Sequence, residues 1–152
     1  MKKRLWPVLS VLAAAILSGC ATTSTTSYVA DSVRAVDANT LASDTVQYLS
    51  DVLPPALTTL VVEPPKSGDA VTPVMLEKLR QRGYGVTTYT PKNGTKPPLG
   101  TPFRYAVSPL DNGVWLRLNY PGKEASRYYQ RTTSGLISNA PFTVREGATN
   151  ER

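Results

Sequence analysis

Two hydrophobic periods take turns along the chain from residue 37 to residue 147, and the first is helical. Asn39 is placed to cap a helix, and "TLASDTVQYLSDVL" behind it brings Leu41, Tyr48, Leu49, Val52 and Leu53 toward one face before Pro54-Pro55 stops the run. "LTTLVVE", residues 57–63, is β-branched and mostly apolar, which predicts a strand, and Pro64-Pro65-Lys66-Ser67-Gly68 breaks it. In the second helix Thr72 can cap, Pro73 takes the first helical position and Val71 can staple onto Leu76. Met75, Leu76 and Leu79 form its buried face, and Gly83 is placed to end it in the left-handed region. "YGVTTYT" reads as a strand, and a Pro/Gly-rich loop from Pro91 to Pro102 follows it.

Beyond the loop the period changes to two. "FRYAVSP", "VWLRLNY" and "SRYYQRT" are extended segments joined by Asp111-Asn112-Gly113 and by Pro121-Gly122, both suited to tight turns between antiparallel strands. In the middle segment Leu116, Leu118 and Tyr120 share one face, with Trp115, Arg117 and Asn119 on the other. "PFTVRE", residues 141–146, adds a last strand. The expected fold is α+β, a small mixed or antiparallel sheet with two helices packed on it. The chain shows no internal repeat.

The N-terminal residues obey a different rule. Met1-Lys2-Lys3-Arg4 is a basic cluster, and Leu5 to Leu17 is apolar apart from Ser10. Such a run rises about 20 Å as a helix, short of the roughly 30 Å of a hydrocarbon core. A basic cluster, a short apolar run and small residues after it form a secretory signal peptide. Leu17-Ser18-Gly19-Cys20 resembles the bacterial lipobox, which is cut just before a lipid-modified cysteine; Ala13-Ala14-Ala15 is a rival cleavage site of an ordinary signal peptide. The expected division is a signal peptide over residues 1–19, a lipidated Cys20 with a tether to residue 36, a domain over 37–147 and a tail over 148–152. The tether rests on "ATTSTTSYVADSVRAV", poor in large apolar residues, with docking of Tyr28, Val29 and Val33 as the other reading. Acyl chains on Cys20 would hold the protein to a membrane. Ala21, where inner-membrane lipoproteins usually carry Asp, points to the outer membrane.

Composition narrows the chemistry. The chain has one Cys and no His, so Ser-His and Cys-His dyads cannot form, and a transition-metal site would need carboxylates alone. No phosphate-cradling glycine motif and no close acidic pair in a suggestive context occurs, which argues against an enzyme, a metal and a cofactor. Of the 17 Lys and Arg, Lys2, Lys3 and Arg4 precede the cleavage, so the mature chain carries 14 basic against 11 acidic residues, a net +3, with no basic run. That excess is too small and too scattered for direct nucleic-acid binding.

Lipobox, Thr/Ser tract, "LPPALTTLVVEP", "LEKLRQRGYGV", "EASRYYQR" and "APFTVRE", in that order, resemble the TrbH family of conjugal-transfer lipoproteins over nearly the whole mature chain. A broader likeness is to DotD-type lipoproteins, whose folded part resembles the N0 domain of secretins. The resemblance implies a structural role in the ring-shaped core complex of a type IV secretion system, beside channel and envelope-spanning subunits, with the domain facing the periplasm. It offers no catalytic residue. Trp115 with Arg117, and Tyr129 with Arg127 and Arg131, are candidate contact points, since aromatic and Arg side chains concentrate interface energy. The other reading is that they cover a second sheet face or a helix. A stand-alone envelope lipoprotein acting as adaptor or inhibitor is the alternative function.

Overall fold

The computed structural model describes residues 26–92 and 94–147; the expected signal peptide, Cys20 and the tail lie outside them. The first of the described residues were expected to be tether. Tyr28–Val29 instead forms a strand (β1) and pairs in parallel with Ala106 and Val107 of a long strand, Thr101–Leu110 (β4). Val29, Ala30 and Val33 are buried. The domain therefore begins by Ser27, ten residues before the expected boundary at 37. Burying these apolar groups outweighs the polar composition around them.

The first helix, α1, runs Ala35–Val52 and starts before Asn39, the expected cap, which lies exposed in its second turn. Asp37 displaces it. As the third helical residue, its carboxylate accepts the Arg34 backbone N–H at 3.2 Å, closing the helix start from inside. Ala38, Leu41, Ala42, Val46 and Leu49 face the core, and the buried Thr45 hydroxyl donates to the Leu41 carbonyl at 2.8 Å. Pro54 ends the helix, and a short 3₁₀ turn at Pro55–Leu57 leads into β2, Thr59–Val62.

Helix α2 spans Val71–Gln81, and here too the cap is an upstream Asp. Asp69 accepts from the backbone N–H groups of Val71 and Thr72 at 2.8 and 2.7 Å and from the Thr72 hydroxyl, so Thr72 is held rather than holding. Pro73 still falls in the first turn, where its missing N–H costs nothing. The end is as expected. Gly83 has φ +101°, Tyr84 N–H donates to the Leu79 carbonyl and Gly83 N–H to that of Arg80, the paired bonds of a Schellman motif.

The remaining strands are β3 (Gly85–Thr88), β5 (Gly113–Tyr120), β6 (Lys123–Thr132), β7 (Gly135–Ile137) and β8 (Thr143–Glu146). The sheet order is β3-β2-β4-β5-β6-β7, with β1 sharing the β4 edge with β2 and β8 sharing the β6 edge with β7. Pairs β1–β4, β2–β3 and β2–β4 are parallel and the rest antiparallel, so the sheet is mixed and the fold α+β. Both tight turns form between consecutive strands, at Asp111-Asn112 and Pro121-Gly122.

Both helices cover one face of this sheet. Alternation along the strands points Phe103, Tyr105, Val107, Leu116, Leu118, Ala125 and Tyr129 at α1 and α2, and all are buried. One place needs a patch. Between the end of β2 and the start of β1, the Tyr105 N–H has no strand beside it, and the Ser27 hydroxyl accepts it at 3.1 Å.

Candidate functional site

The candidate contact residues separate onto opposite faces. On β6, Arg127, Tyr129 and Arg131 point toward α1, and each is engaged there. Asp44 accepts from Arg127 Nη1 at 3.0 Å and from the Tyr129 hydroxyl at 2.9 Å. Arg127 Nη2 donates to the Ser138 carbonyl at 3.3 Å, and its guanidinium lies 5.4 Å from the ring centres of Tyr129 and Phe142. Arg131 donates to Asp37 at 2.7 Å. Tyr129 is 0% exposed, and burial, reinforced by the Asp44 charge, pushes its phenol well above the ordinary tyrosine range.

These side chains fasten the helix to the sheet. Tyr129 is closed to a partner, and the two arginines already hold carboxylates, which corrects the expectation that all three form an outer contact point. The reason is geometric. Asp37 and Asp44 stand two helical turns apart, about 10 Å, while Arg127 and Arg131 stand about 13 Å apart along a strand. That match between an acidic spacing of seven and a basic spacing of four was present in the sequence, but only the packing of α1 on β6 gives it meaning.

Charge balance within the cluster is uneven. Burial on its own would raise the Asp37 carboxyl, but hydrogen bonds from Arg131 and Arg34 outweigh it and hold it below the usual carboxylate range.

The opposite face of the sheet carries Trp115 and Arg117, both half-buried. Trp115 lies between Ser108 and Tyr128 on the neighbouring strands, and Arg117 between Ala106 and Ser126. Tyr28, half exposed, joins this face beside Ala106. Tyr28 and Tyr128 were not among the candidates; the first sits in the expected tether, and the second alternates away from Tyr129.

Other cations on this face are paired. Arg104 grips Glu63 with bonds of 2.8 and 2.7 Å, which raises the guanidinium pKa, and Arg145 donates to Glu124 at 2.9 Å. Among the described residues Arg117 takes no hydrogen bond or ion pair. Flanked by Ala106 and Ser126 on a face that also carries Tyr28, Trp115 and Tyr128, it is an unpaired charge on an open face.

A shallow cleft of about 270 Å³ between the helices is lined by Ser43, Val46, Gln47, Lys78, Gln81 and Arg82. Among the described residues no group of three or more His, Cys, Asp or Glu could hold a metal ion, and no helix is long and apolar enough to cross a membrane. Neither a curated protein nor a solved structure matches the chain. Residues 20–147, however, match the model of the family described as conjugal transfer protein TrbH, and the chain belongs to that family.

Proposed function

We propose that the protein is an outer-membrane lipoprotein serving as a structural, non-enzymatic part of the core complex through which a conjugative type IV secretion system passes plasmid DNA. The observation that carries this reading is the family match, which begins at Cys20 itself and runs through the last described strand. The lipobox supplies the anchor. The domain faces the periplasm and presents the open face of Tyr28, Trp115, Arg117 and Tyr128 to channel or envelope-spanning subunits. Aromatic and Arg side chains in a flat, partly desolvated setting suit that use.

Deleting the gene and measuring transfer between cells tests the role. Mating falls strongly, while plasmid replication and nicking at the transfer origin continue, because the protein acts in the envelope. Normal mating would remove the secretion role and favour the stand-alone lipoprotein. Palmitate labelling tests the anchor separately: label enters the native chain and is absent from Cys20→Ser.

A further inference from the structure

The sheet has one end where apolar side chains stand out in solvent. Leu99 is 97% exposed and Leu57 87%. They belong to different connections, the 3₁₀ turn before β2 and the loop before β4, yet the fold brings them to the same end. Leu60 pairs with Thr101, and a Cβ on Gly100 would lie 2.7 Å from the Thr59 carbonyl oxygen. Val52, Pro97 and Pro98 are exposed at the same tip. Single exposed leucines are ordinary on a soluble surface, but a proline-stiffened pair with almost nothing packed on it is not.

The N-terminal chain runs toward that tip. β1 is parallel to β4, so followed backwards from Val29 it heads for Thr101. Ser27 stands level with Tyr105, about 13 Å short of Thr101 along the strand. Residues 21–26 then span at most about 20 Å. At that length a link from Cys20 can reach just beyond the tip. Lys92 and Lys96 lie in the same loop as Leu99 and, among the described residues, have side chains without an ion-pair partner.

We infer that this tip, led by Leu57 and Leu99, dips into the lipid surface that holds the acylated Cys20, with Lys92 and Lys96 at the level of anionic headgroups. The inference rests on the lipoprotein reading. Apolar side chains at the acyl boundary with lysines above them form the pattern of an interfacial contact. A short link to a lipid would keep the contact engaged, as a second site tethered to a first. The domain would then stand with its sheet upright on the membrane and its open face turned sideways, toward neighbouring subunits.

The chain has a single cysteine, and lipidation consumes it, so one added thiol labels one place. Leu99→Cys carries an environment-sensitive fluorophore at the tip; Leu110→Cys carries it at the opposite end of β4. Both full-length proteins, purified from membranes, are reconstituted into vesicles of zwitterionic and anionic phospholipid containing brominated acyl chains. Mass spectrometry and flotation establish acylation and anchoring first. The expected result is a blue shift and several-fold stronger bromine quenching at residue 99 than at residue 110. Equal, water-like signals from an anchored protein would overturn the inference while leaving the lipoprotein reading intact. Absence of acylation would sink both. A label at 99 that is shielded only in the assembled envelope, and never by lipid alone, would assign the tip to a protein partner and likewise overturn the inference.

Discussion

Arg131 was a candidate for meeting a partner, and the structure commits it to Asp37. A double-mutant cycle tests that commitment. The Asp37 carboxylate has a side-chain exposure of 0% and the Arg131 guanidinium 26%. Asp37→Ala removes the acceptor of the Arg131 bond at 2.7 Å and of the Arg34 backbone N–H at 3.2 Å. Breaking a buried ion pair costs about 3–5 kcal/mol, and the partial exposure of Arg131 places this one near 3. At roughly 4 °C per kcal/mol for a domain of this size, the melting temperature falls by about 12 °C.

Arg131→Ala should cost about 2 kcal/mol, because Arg34 still faces the carboxylate. The double variant should cost little more than Asp37→Ala alone, a coupling of about 1.5 kcal/mol. Thermal and urea melts of residues 21–152 supply all the corners. Additive effects, with coupling under about 0.5 kcal/mol, would refute the reasoning and return Arg131 to the surface.

The pH dependence has a fixed sign. Asp37 binds its proton less readily when folded than when unfolded, so its contribution is present above its ordinary value of 3.8 and is lost as pH falls through the lower native value. Asp37→Asn should therefore flatten the acid limb of the stability curve.

Three further outcomes are expected. Ser27→Ala leaves the Tyr105 N–H buried without an acceptor and should cost about 1–3 kcal/mol in a urea melt, with Ser27→Thr close to wild type; an unaltered Ser27→Ala melt would show that water serves instead. Gly83→Val should destabilise by at least about 1 kcal/mol from backbone strain rather than collision, since the nearest atom to its Cβ is 3.9 Å away, and Gly83→Asn should be milder; equal effects would point to packing. Exchanging residues 21–25 for Gly and Ser at equal length should leave the melting temperature unchanged, whereas removing 28–30 should lower it sharply, because Val29 and Ala30 belong to the core. A harmless removal would restore the longer tether.

Period-two alternation through residues 103–132 was legible because each strand is polar on one side and the turns between them are short. Gly83 was legible for a similar reason: a glycine directly after an amphipathic run has few other uses. β1 was not. Two residues flanked by Ser, Asp and Thr carry no periodicity, and their pairing depends on an edge of β4 that β2 leaves vacant. The same limit explains the caps. Asp37 and Asp69 act from positions where local propensity also allowed Asn39 and Thr72, and packing of the helix ends decided between them. Of the interface candidates, strand parity correctly opposed Trp115 and Arg117 to Leu116, while the fate of Arg127, Tyr129 and Arg131 depended on which carboxylates α1 would bring.

The Ser27 bond to Tyr105 spans 78 positions of sequence, and β1 docks on a strand that follows it by as many. A chain that emerges with its N-terminus first cannot seat β1 until β4 has emerged as well. Closing so long a loop is late and slow compared with the formation of α1 or the hairpin of β4 and β5. Were the chain processed as proposed above, that interval would leave Cys20 within reach of a signal peptidase and an acyltransferase. Once β1 closes onto β4, only residues 21–27 separate Cys20 from the sheet. For a lipoprotein of the proposed kind the order of folding would act as a timer, leaving Cys20 open while the chain is in transit and shortening the leash when folding is complete.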